Sequence, residues 1–264
     1  MELLFLGTGA ADYDWSRYGD ETTAGSTAAL LEEHILLDCG PTVRRAMERY
    51  GVSRDAVTAI VNTHSHGDHF APEVIREIAG SKQVDFYGTP QACERVKDCC
   101  RTHAIGMGDT FTVGDCRFLA LPANHAVEDL YEETFNFLIS SGGETLLYAV
   151  DTAWMTTRAR RLLGKTPLDG VVWDATMSQP GNWRIFEHTD PEMFRSIRKV
   201  LTDAGNIHDG TRIWFSHRAR TLWPEDPAER EAIAAREGVR LAHDGDRVRI
   251  QRSAPPEARR EICS

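Results

Sequence analysis

The sequence predicts an α/β protein in which two β-sheets pack face to face and helices cover their outer faces. Short apolar runs separated by turn residues recur through both halves of the chain. Segments with helical spacing occur in each half, and no obvious linker divides the two halves. Because a sheet has two faces and helices can cover only the outer ones, two packed sheets are the simplest arrangement.

The predicted strands are apolar runs that end at glycine or at polar turn residues. They are residues 2–6, 26–32, 34–38, 57–62, 83–87, 117–121, 134–140, 145–150, 170–173, 212–215 and 247–251. The predicted helices carry helical spacing, and several begin at or after a proline. They are residues 42–50, 72–79, 90–100, 191–204 and 227–236. We expect a single domain over residues 1–252 and a loose polar tail over residues 253–264.

Composition and charge narrow the class of protein. The chain has 264 residues, of which 30 are Lys or Arg and 40 are Asp or Glu, so its formal net charge is −10. That acidity argues against binding of a long nucleic acid, which needs a basic surface. The N-terminus does not resemble a signal peptide, and no apolar run reaches the length of a membrane span. We therefore expect a cytoplasmic protein without membrane contact.

The six cysteines are scattered, and we expect reduced thiols. The adjacent pair Cys99-Cys100 has three interpretations: a soft-metal site, an oxidation sensor, or two cysteines at a helix end. The sequence leaves these open.

Metal-ligating side chains are concentrated directly after the strand at residues 57–62, in the segment Thr63-His64-Ser65-His66-Gly67-Asp68-His69. In an extended segment residues two apart point the same way, so His64 and His66 can bind one ion. Gly67 is expected to let the chain turn sharply, which aims Asp68 and His69 at a second ion. Imidazole and carboxylate are ligands of zinc, and of manganese or iron with different geometry.

This HxHxDH pattern after a buried strand resembles the signature of the metallo-β-lactamase-fold hydrolases. Two further segments are similar to the first strands of that family, Phe5-Leu6-Gly7-Thr8-Gly9 and Leu36-Leu37-Asp38-Cys39-Gly40. The resemblance extends from Leu3 to about His217 and implies a four-layer αββα sandwich. It also implies two divalent ions, roughly 3.5–4 Å apart, that share a water and present it as hydroxide.

The remaining ligands implied by the resemblance follow later predicted strands. His125, Asp151 and His217 occupy such positions in the expected order. The implied centre places one ion on His64, His66 and His125, and the other on Asp68, His69 and His217, with Asp151 bridging them. Asp68 is also expected to orient the attacking water. Asp38 and Asp174 are candidates for holding the ligand histidines, with capping of local backbone as the alternative.

Two segments resemble the phosphodiesterase and ribonuclease Z branch of the family. They are Trp173-Asp174-Ala175-Thr176 and Glu187-His188-Thr189-Asp190-Pro191. The resemblance implies that His188 protonates the leaving alkoxide or binds a phosphate oxygen, the alternative being a polar residue before a helix. The chain lacks the glycine-rich basic insertion with which ribonuclease Z proteins grip transfer RNA. It also lacks the cysteine-bound zinc of the carbon–phosphorus-lyase-associated phosphodiesterases.

The sequence therefore predicts a binuclear metal-dependent hydrolase of a small phosphodiester, such as a cyclic phosphate or a nucleotide. Zinc is the favoured metal, with manganese or iron as alternatives. A lactone or ester hydrolase, and a non-catalytic cofactor-biosynthesis protein of the pyrroloquinoline-quinone type, are alternative functions. Candidate substrate-binding residues, for which ordinary packing is the alternative, are Tyr13, Trp15, Arg17, Tyr18, Trp154 and Trp183. A homodimer is expected from size alone.

Overall fold

Two seven-stranded mixed sheets with flanking helices make up the fold, which confirms the predicted fold class. The structure is a computed structural model, and it describes residues 1–20 and 22–252. The strands are β1 Glu2–Gly7, β2 Ala28–Leu31, β3 Ile35–Leu37, β4 Ala59–Val61, β5 Val84–Gly88, β6 Cys100–Ala104, β7 Thr110–Val113, β8 Cys116–Pro122, β9 Phe135–Ser141, β10 Glu144–Ala149, β11 Gly170–Asp174, β12 Arg212–Ser216, β13 Arg240–Leu241 and β14 Arg247–Arg249. The helices are α1 Val43–Arg49, α2 Pro72–Ala79, α3 Pro90–Val96, α4 Thr157–Leu163, α5 Pro191–Asp203 and α6 Pro227–Arg236.

The two sheets divide the chain nearly in half. The first has the order β14-β1-β2-β3-β4-β5-β6, and the second has the order β13-β12-β11-β10-β9-β8-β7. In the first sheet β3 to β6 run parallel, and in the second β10 to β13 run parallel. The late strand β14 returns to the first sheet and pairs with β1, so the two halves are joined at this edge.

The core forms three apolar clusters that correspond to the interfaces between four layers. Along β1, Leu3 and Phe5 belong to the cluster between the sheets, which also contains Phe118 and Phe137 of the second sheet. Leu4, on the opposite face of β1, belongs to the cluster beneath α1, α2 and α3. The third cluster lies between the second sheet and α4, α5 and α6. Both faces of β1 are therefore buried, which explains why this strand is apolar at successive positions.

The parallel strands bring the polar sequence segments together. Asp38 follows β3, and the segment at residues 63–69, which we call the ligand loop, follows β4. In the second sheet Asp151 follows β10, Asp174 ends β11, and His217 follows β12. Because the carboxyl ends of parallel strands lie at one edge of a sheet, these side chains meet where the two edges face each other.

The helix predicted before Cys99 and Cys100 is too long. The helix predicted for residues 90–100 ends at Val96, and Cys100 begins β6. Cys100 pairs with Val84 of β5 and is buried, so its apolar character fits a strand as well as the continuation of a helix. Such a short run cannot be assigned from periodicity alone.

Several short elements were not predicted, namely β6, β7, β13 and α4. Helix α4 carries readable signals, because the Thr156 side chain accepts a hydrogen bond from the Ala159 backbone and Gly164 ends the helix with φ 60°. Among the described residues no helix is long and apolar enough to cross a membrane. The predicted tail at residues 253–264 lies outside the described residues, and the single domain stays a prediction.

Candidate metal centre

The imidazole rings of three histidines lie close together, and two of these histidines belong to the ligand loop. The Nδ1 atom of His66 lies 3.1 Å from Nε2 of His64 and 2.9 Å from Nε2 of His125. The Nδ1 atom of His125 lies 3.2 Å from the backbone carbonyl oxygen of Glu187, which can only accept a hydrogen bond. The Nε2 atom of a neutral His125 is therefore unprotonated, and its lone pair faces the other two rings.

The same reasoning fixes the tautomer of His64. Its Nδ1 atom lies 2.9 Å from the hydroxyl of Thr63, and that hydroxyl donates its own proton to Asp38 at 2.9 Å. Nδ1 of His64 must therefore carry the proton, which leaves Nε2 free to bind a cation. We call His64, His66 and His125 the histidine group.

A second set of donors lies deeper and contains two carboxylates. Nε2 of His69 lies 2.5 Å from Oδ2 of Asp151 and 3.3 Å from Oδ2 of Asp68. Nε2 of His217 lies 2.9 Å from Oδ1 of Asp151 and 3.3 Å from Oδ2 of Asp68. All four side chains are buried, and we call them the carboxylate group.

Asp151 lies between the two groups. Its Oδ2 atom is 3.3 Å from Nε2 of His64, in addition to its contacts with His69 and His217. Asp151 thus contacts both groups through its carboxylate, and His69 also contacts the His64 ring, with centroids 4.4 Å apart. The bridging role that the resemblance implies for Asp151 stays a prediction.

The donor atoms are arranged to bind a divalent cation rather than to form hydrogen bonds with one another. Nε2 of His69 and Oδ1 of Asp151 are buried, and their short contacts, to Oδ2 of Asp151 and to Nε2 of His217, do not have hydrogen-bond geometry. Buried polar atoms without partners are costly, and two buried carboxylates need a compensating positive charge. Each of the two groups offers at least three nitrogen or oxygen atoms close enough to hold one ion. Nitrogen and carboxylate oxygen donors suit zinc, manganese and iron.

The histidine group and the carboxylate group differ in the direction of their pKa shifts. Burial lowers the pKa of His64 well below its usual range and also lowers the pKa of His125, so both rings are neutral ligands. Burial opposes a charge on His217 too, but the carboxylate of Asp151 outweighs it and raises the pKa of His217 to about 10. Burial favours a neutral Asp151, but His217 and His69 hold its pKa well below the usual range. The carboxylate group therefore keeps its negative charges and attracts cations.

The backbone is left-handed at three residues of this region. Asp38, Asp151 and His217 have φ values of 63°, 48° and 57°. Such conformations cost about 1–3 kcal/mol each for residues other than glycine, and they persist where the surrounding structure holds them. Each of the three follows a strand, and the left-handed turn redirects the chain at the sheet edge.

Asp38 supports the ligand loop through several hydrogen bonds. Its Oδ2 atom accepts from Nδ1 of His69 at 2.9 Å, and its Oδ1 atom accepts from the backbone nitrogen of Thr63 at 2.7 Å and from Nδ2 of Asn62 at 3.1 Å. Asp38 therefore orients His69 so that Nε2 faces the carboxylates.

Asp174 contacts the site by two routes. Its Oδ2 atom lies 2.9 Å from Nδ1 of His188, and its Oδ1 atom accepts from the backbone nitrogen of Thr176 at 2.8 Å. The Thr176 hydroxyl in turn lies 2.9 Å from Nδ1 of His217. Asp174 thus reaches His217 through Thr176, a residue that sequence reasoning did not single out although it lies in the quoted Asp-Ala-Thr segment.

His188 lies beside the donor groups. Its Nδ1 atom is held by Asp174, and its Nε2 atom has no protein partner among the described residues. Burial opposes a charge on this ring, but Asp174 outweighs burial and raises the pKa of His188. Because His188 lines the cavity above the metal centre, a protonated Nε2 is available to a bound molecule.

A cavity of about 560 Å³, which we call the metal cavity, opens onto both groups. Of the residues predicted to contact substrate, Trp15 lines this cavity. The charged lining residues that sequence reasoning did not assign to the site are Asp12, Glu128, Arg184 and Glu187. Arg184 and Glu187 lie within four positions of His188, so the motif that identified His188 was the available signal.

The other predicted substrate residues do not line the metal cavity. Tyr18 is buried in the apolar cluster beneath α1, since its ring packs there rather than at the site. Trp154, before α4, and Trp183, at the start of a short 3-10 helix, are exposed and outside the lining. Tyr13 and Arg17 line a second cavity instead.

The chain turns at Gly67, as the sequence predicts, because the backbone nitrogens of His69 and Phe70 both bond the carbonyl oxygen of His66. Gly67 does not have a positive φ, however, and a Cβ atom built there meets open space. The tight position is Gly40, where a Cβ atom would lie 2.0 Å from the carbonyl oxygen of Asp68. The close approach of the two segments therefore requires glycine at position 40, next to the ligand loop, and not at position 67 within the loop.

Comparisons with known proteins agree with this architecture. The family described as "Beta-lactamase superfamily domain" matches residues 33–208. Ribonuclease Z of Methanothermobacter thermautotrophicus is 29% identical over 147 residues, which cover 49% of this chain and 46% of that protein. The chain thus matches about half the length of that relative. Ribonuclease Z of Mycobacterium bovis is 22% identical over 285 residues, covering 95% of this chain and 98% of that protein.

Two solved structures are similar in fold. Zn²⁺-bound PqqB from Methylobacterium extorquens has a TM-score of 0.73 at 19% identity and covers 94% of this chain and 100% of that chain. The short form of human tRNase Z has a TM-score of 0.68 at 19% identity and covers 95% and 100%. The family match spans more than half of the sequence, and it includes the ligand loop, His125, Asp151 and His188. The chain therefore belongs to the beta-lactamase superfamily and has the metallo-β-lactamase fold.

Proposed function

We propose that this protein is a metal-dependent phosphodiesterase that holds two divalent cations and cleaves a small phosphodiester. The observation that carries the proposal is the pairing of His188 with Asp174 beside two donor groups that share Asp151. Divalent ions in such a centre lower the pKa of a water and neutralise negative charge on phosphoryl oxygens. Zinc is the favoured ion, with manganese or iron as alternatives.

The protein's own residues supply the proton transfers. Oδ2 of Asp68 faces His69 and His217, while Asp68 also lines the metal cavity, so Oδ1 is placed to accept a proton from the attacking water. His188 donates a proton from Nε2 to the oxygen that leaves phosphorus. In the balanced reaction the water oxygen forms a bond to phosphorus, and the bond from phosphorus to the leaving oxygen breaks. Asp68 accepts one proton from the water, and His188 donates one proton to the leaving oxygen.

The relatives bear on the expectation about nucleic acid. Their name, ribonuclease Z, points to RNA and conflicts in part with the expectation that long nucleic acid is not bound. The net charge of −10 and the absence of a basic insertion in the sequence favour a small diester. RNA cleavage is therefore the second candidate function, and it uses the same proton donors.

The test is turnover of bis(p-nitrophenyl) phosphate with added Zn²⁺ or Mn²⁺. We expect turnover that His188→Ala reduces by about 10²- to 10⁴-fold while metal content is unchanged. His243→Ala is the matched control, because His243 is exposed and pairs with Glu231.

Parallel assays separate the alternatives. Cleavage of a transfer-RNA precursor above the rate for small diesters would favour the ribonuclease candidate. Hydrolysis of lactones with no diester turnover in any metal would overturn the phosphodiesterase proposal. Full diester turnover by the His188 variant would remove this residue from the reaction. Location in the cytoplasm and a homodimer stay predictions, the latter checked by light scattering.

A further inference from the structure

A second cavity of about 680 Å³ adjoins the metal cavity. The two share Ala11 and Asp12 in their linings. The second cavity lies between the segment after β1 and the segment that leads into α6, and we call it the arginine cavity after Arg17, Arg220 and Arg230. A molecule bound at the metal centre can therefore extend past Asp12 into it.

Two of the arginines in this cavity lack a carboxylate partner. Arg220 donates from Nε to the backbone oxygen of Asp12 at 3.2 Å, and its Nη atoms have no partner among the described residues. Arg230 donates from Nε to the Pro224 oxygen at 2.6 Å and from Nη2 to the Glu225 oxygen at 3.0 Å. Arg17, by contrast, forms an ion pair with Asp20 at 3.1 Å. Two positive charges thus lie in the cavity without an ion-pair partner in the described part of the chain.

Two of the acidic side chains in the lining are occupied by local hydrogen bonds. The Asp12 carboxylate accepts from the backbone nitrogens of Arg220 and Thr221 at 2.7 and 2.9 Å and from the Thr221 hydroxyl at 2.6 Å. Asp14 accepts from the backbone nitrogen and the hydroxyl of Ser16. The third, Glu225, is exposed and contributes its backbone oxygen to Arg230.

Tyr13 also lines the cavity, and the residue is only 8% exposed. Its hydroxyl can donate a hydrogen bond to a molecule bound there.

We propose that the arginine cavity binds a phosphate monoester on the same substrate whose diester lies at the metal centre. Two guanidinium groups that have no ion-pair partner among the described residues match the two charges of a phosphate monoester, and guanidinium forms paired hydrogen bonds to phosphate oxygens. The Tyr13 hydroxyl completes the set of donors. This inference rests on the proposed function and assigns the substrate class: a diester that carries a second, terminal phosphate.

The test compares two dinucleotides, pTpT with a 5′-phosphate and TpT without it. We expect metal-loaded enzyme to show a kcat/KM about tenfold or more higher for pTpT, as charge-assisted hydrogen bonds predict. Arg220→Gln and Arg230→Gln bring the ratio of the two rates towards one. Arg236→Gln is the matched control, because it removes an exposed arginine from the same helix as Arg230.

A binding measurement makes the inference independent of turnover. Calorimetric titration of metal-free protein is expected to show tighter binding of pTpT than of TpT, with the difference lost in Arg230→Gln. Equal binding and equal turnover of the two dinucleotides would overturn the inference while leaving the phosphodiesterase proposal intact. Absence of turnover of every diester, with the binding preference retained, would overturn the function but not the phosphate site.

Discussion

The two donor groups of the metal centre differ in charge and in support. The histidine group contains three imidazoles, two of them partly exposed to the cavity, and no carboxylate. The carboxylate group is fully buried, and its histidines are held from behind by Asp38 and Thr176. Asp151 raises the pKa of His217 to about 10, so a proton compensates the buried carboxylates until a cation replaces it, whereas the neutral imidazoles of the other group offer no negative charge to a cation. We therefore expect the ion in the carboxylate group to be bound more tightly and to contribute more to stability.

Loss of Asp151 tests whether the two groups form one centre. Because Asp151 contacts both groups, Asp151→Asn is expected to lower the affinity of both ions and to reduce diester turnover by about 10³-fold. Elemental analysis and the p-nitrophenyl assay measure the two effects. Asp209→Asn, an exposed carboxylate outside the site, is the control. Two ions retained at wild-type affinity would show that Asp151 does not link the groups.

Loss of Asp38 separates the groups. Asp38→Asn keeps a residue that tolerates the left-handed backbone but weakens the bond to Nδ1 of His69. We expect the affinity of the ion in the carboxylate group to fall by about 10- to 100-fold and that of the other ion to fall less, because Asp38 contacts His69 directly but reaches His64 only through the Thr63 hydroxyl. Competition with a chromophoric chelator resolves the two affinities. An equal loss of both ions would contradict the distinction between the groups.

Substitutions of two glycines, Gly67 within the ligand loop and Gly40 beside it, are expected to have the smallest effects. Gly40→Ala is expected to destabilise the protein by about 1–3 kcal/mol, since its Cβ atom would meet the backbone of Asp68. Gly67→Ala meets open space and is expected to leave thermal stability and metal content unchanged. Thermal denaturation of both variants, with and without chelator, measures the contrast. Comparable destabilisation by the two substitutions would show that the turn at Gly67 matters after all.

Sequence reasoning was most successful where the chemistry is local. The ligand loop could be recognised because its donors lie within seven residues. The later donors could be assigned because the family resemblance implies ligands at the ends of later strands. Sequence reasoning failed for short segments, because β6 and α4 have too few residues for periodicity to identify them. It also failed for Tyr18, because a tyrosine that packs in a core cannot be distinguished by sequence from one that binds a ligand.

Contacts between distant segments were beyond sequence reasoning. His217 and Asp68 are 149 positions apart, and Arg220 and Asp12 are 208 positions apart. No local sequence pattern predicts that Asp12, after β1, will accept hydrogen bonds from the segment before α6 that contains Arg220.

The sequence by itself determined the fold class, the identity of the candidate donors and their order along the chain. Hydrophobic alternation and strand-end polarity are properties of neighbouring residues, so they are readable without coordinates. Only the tertiary structure decided which donors share a group and that Asp151 lies between the groups. It also decided that a second cavity adjoins the first, with two arginines that have no ion-pair partner in the described part of the chain. These features depend on how the two sheets meet, and that packing is set by contacts across the whole chain.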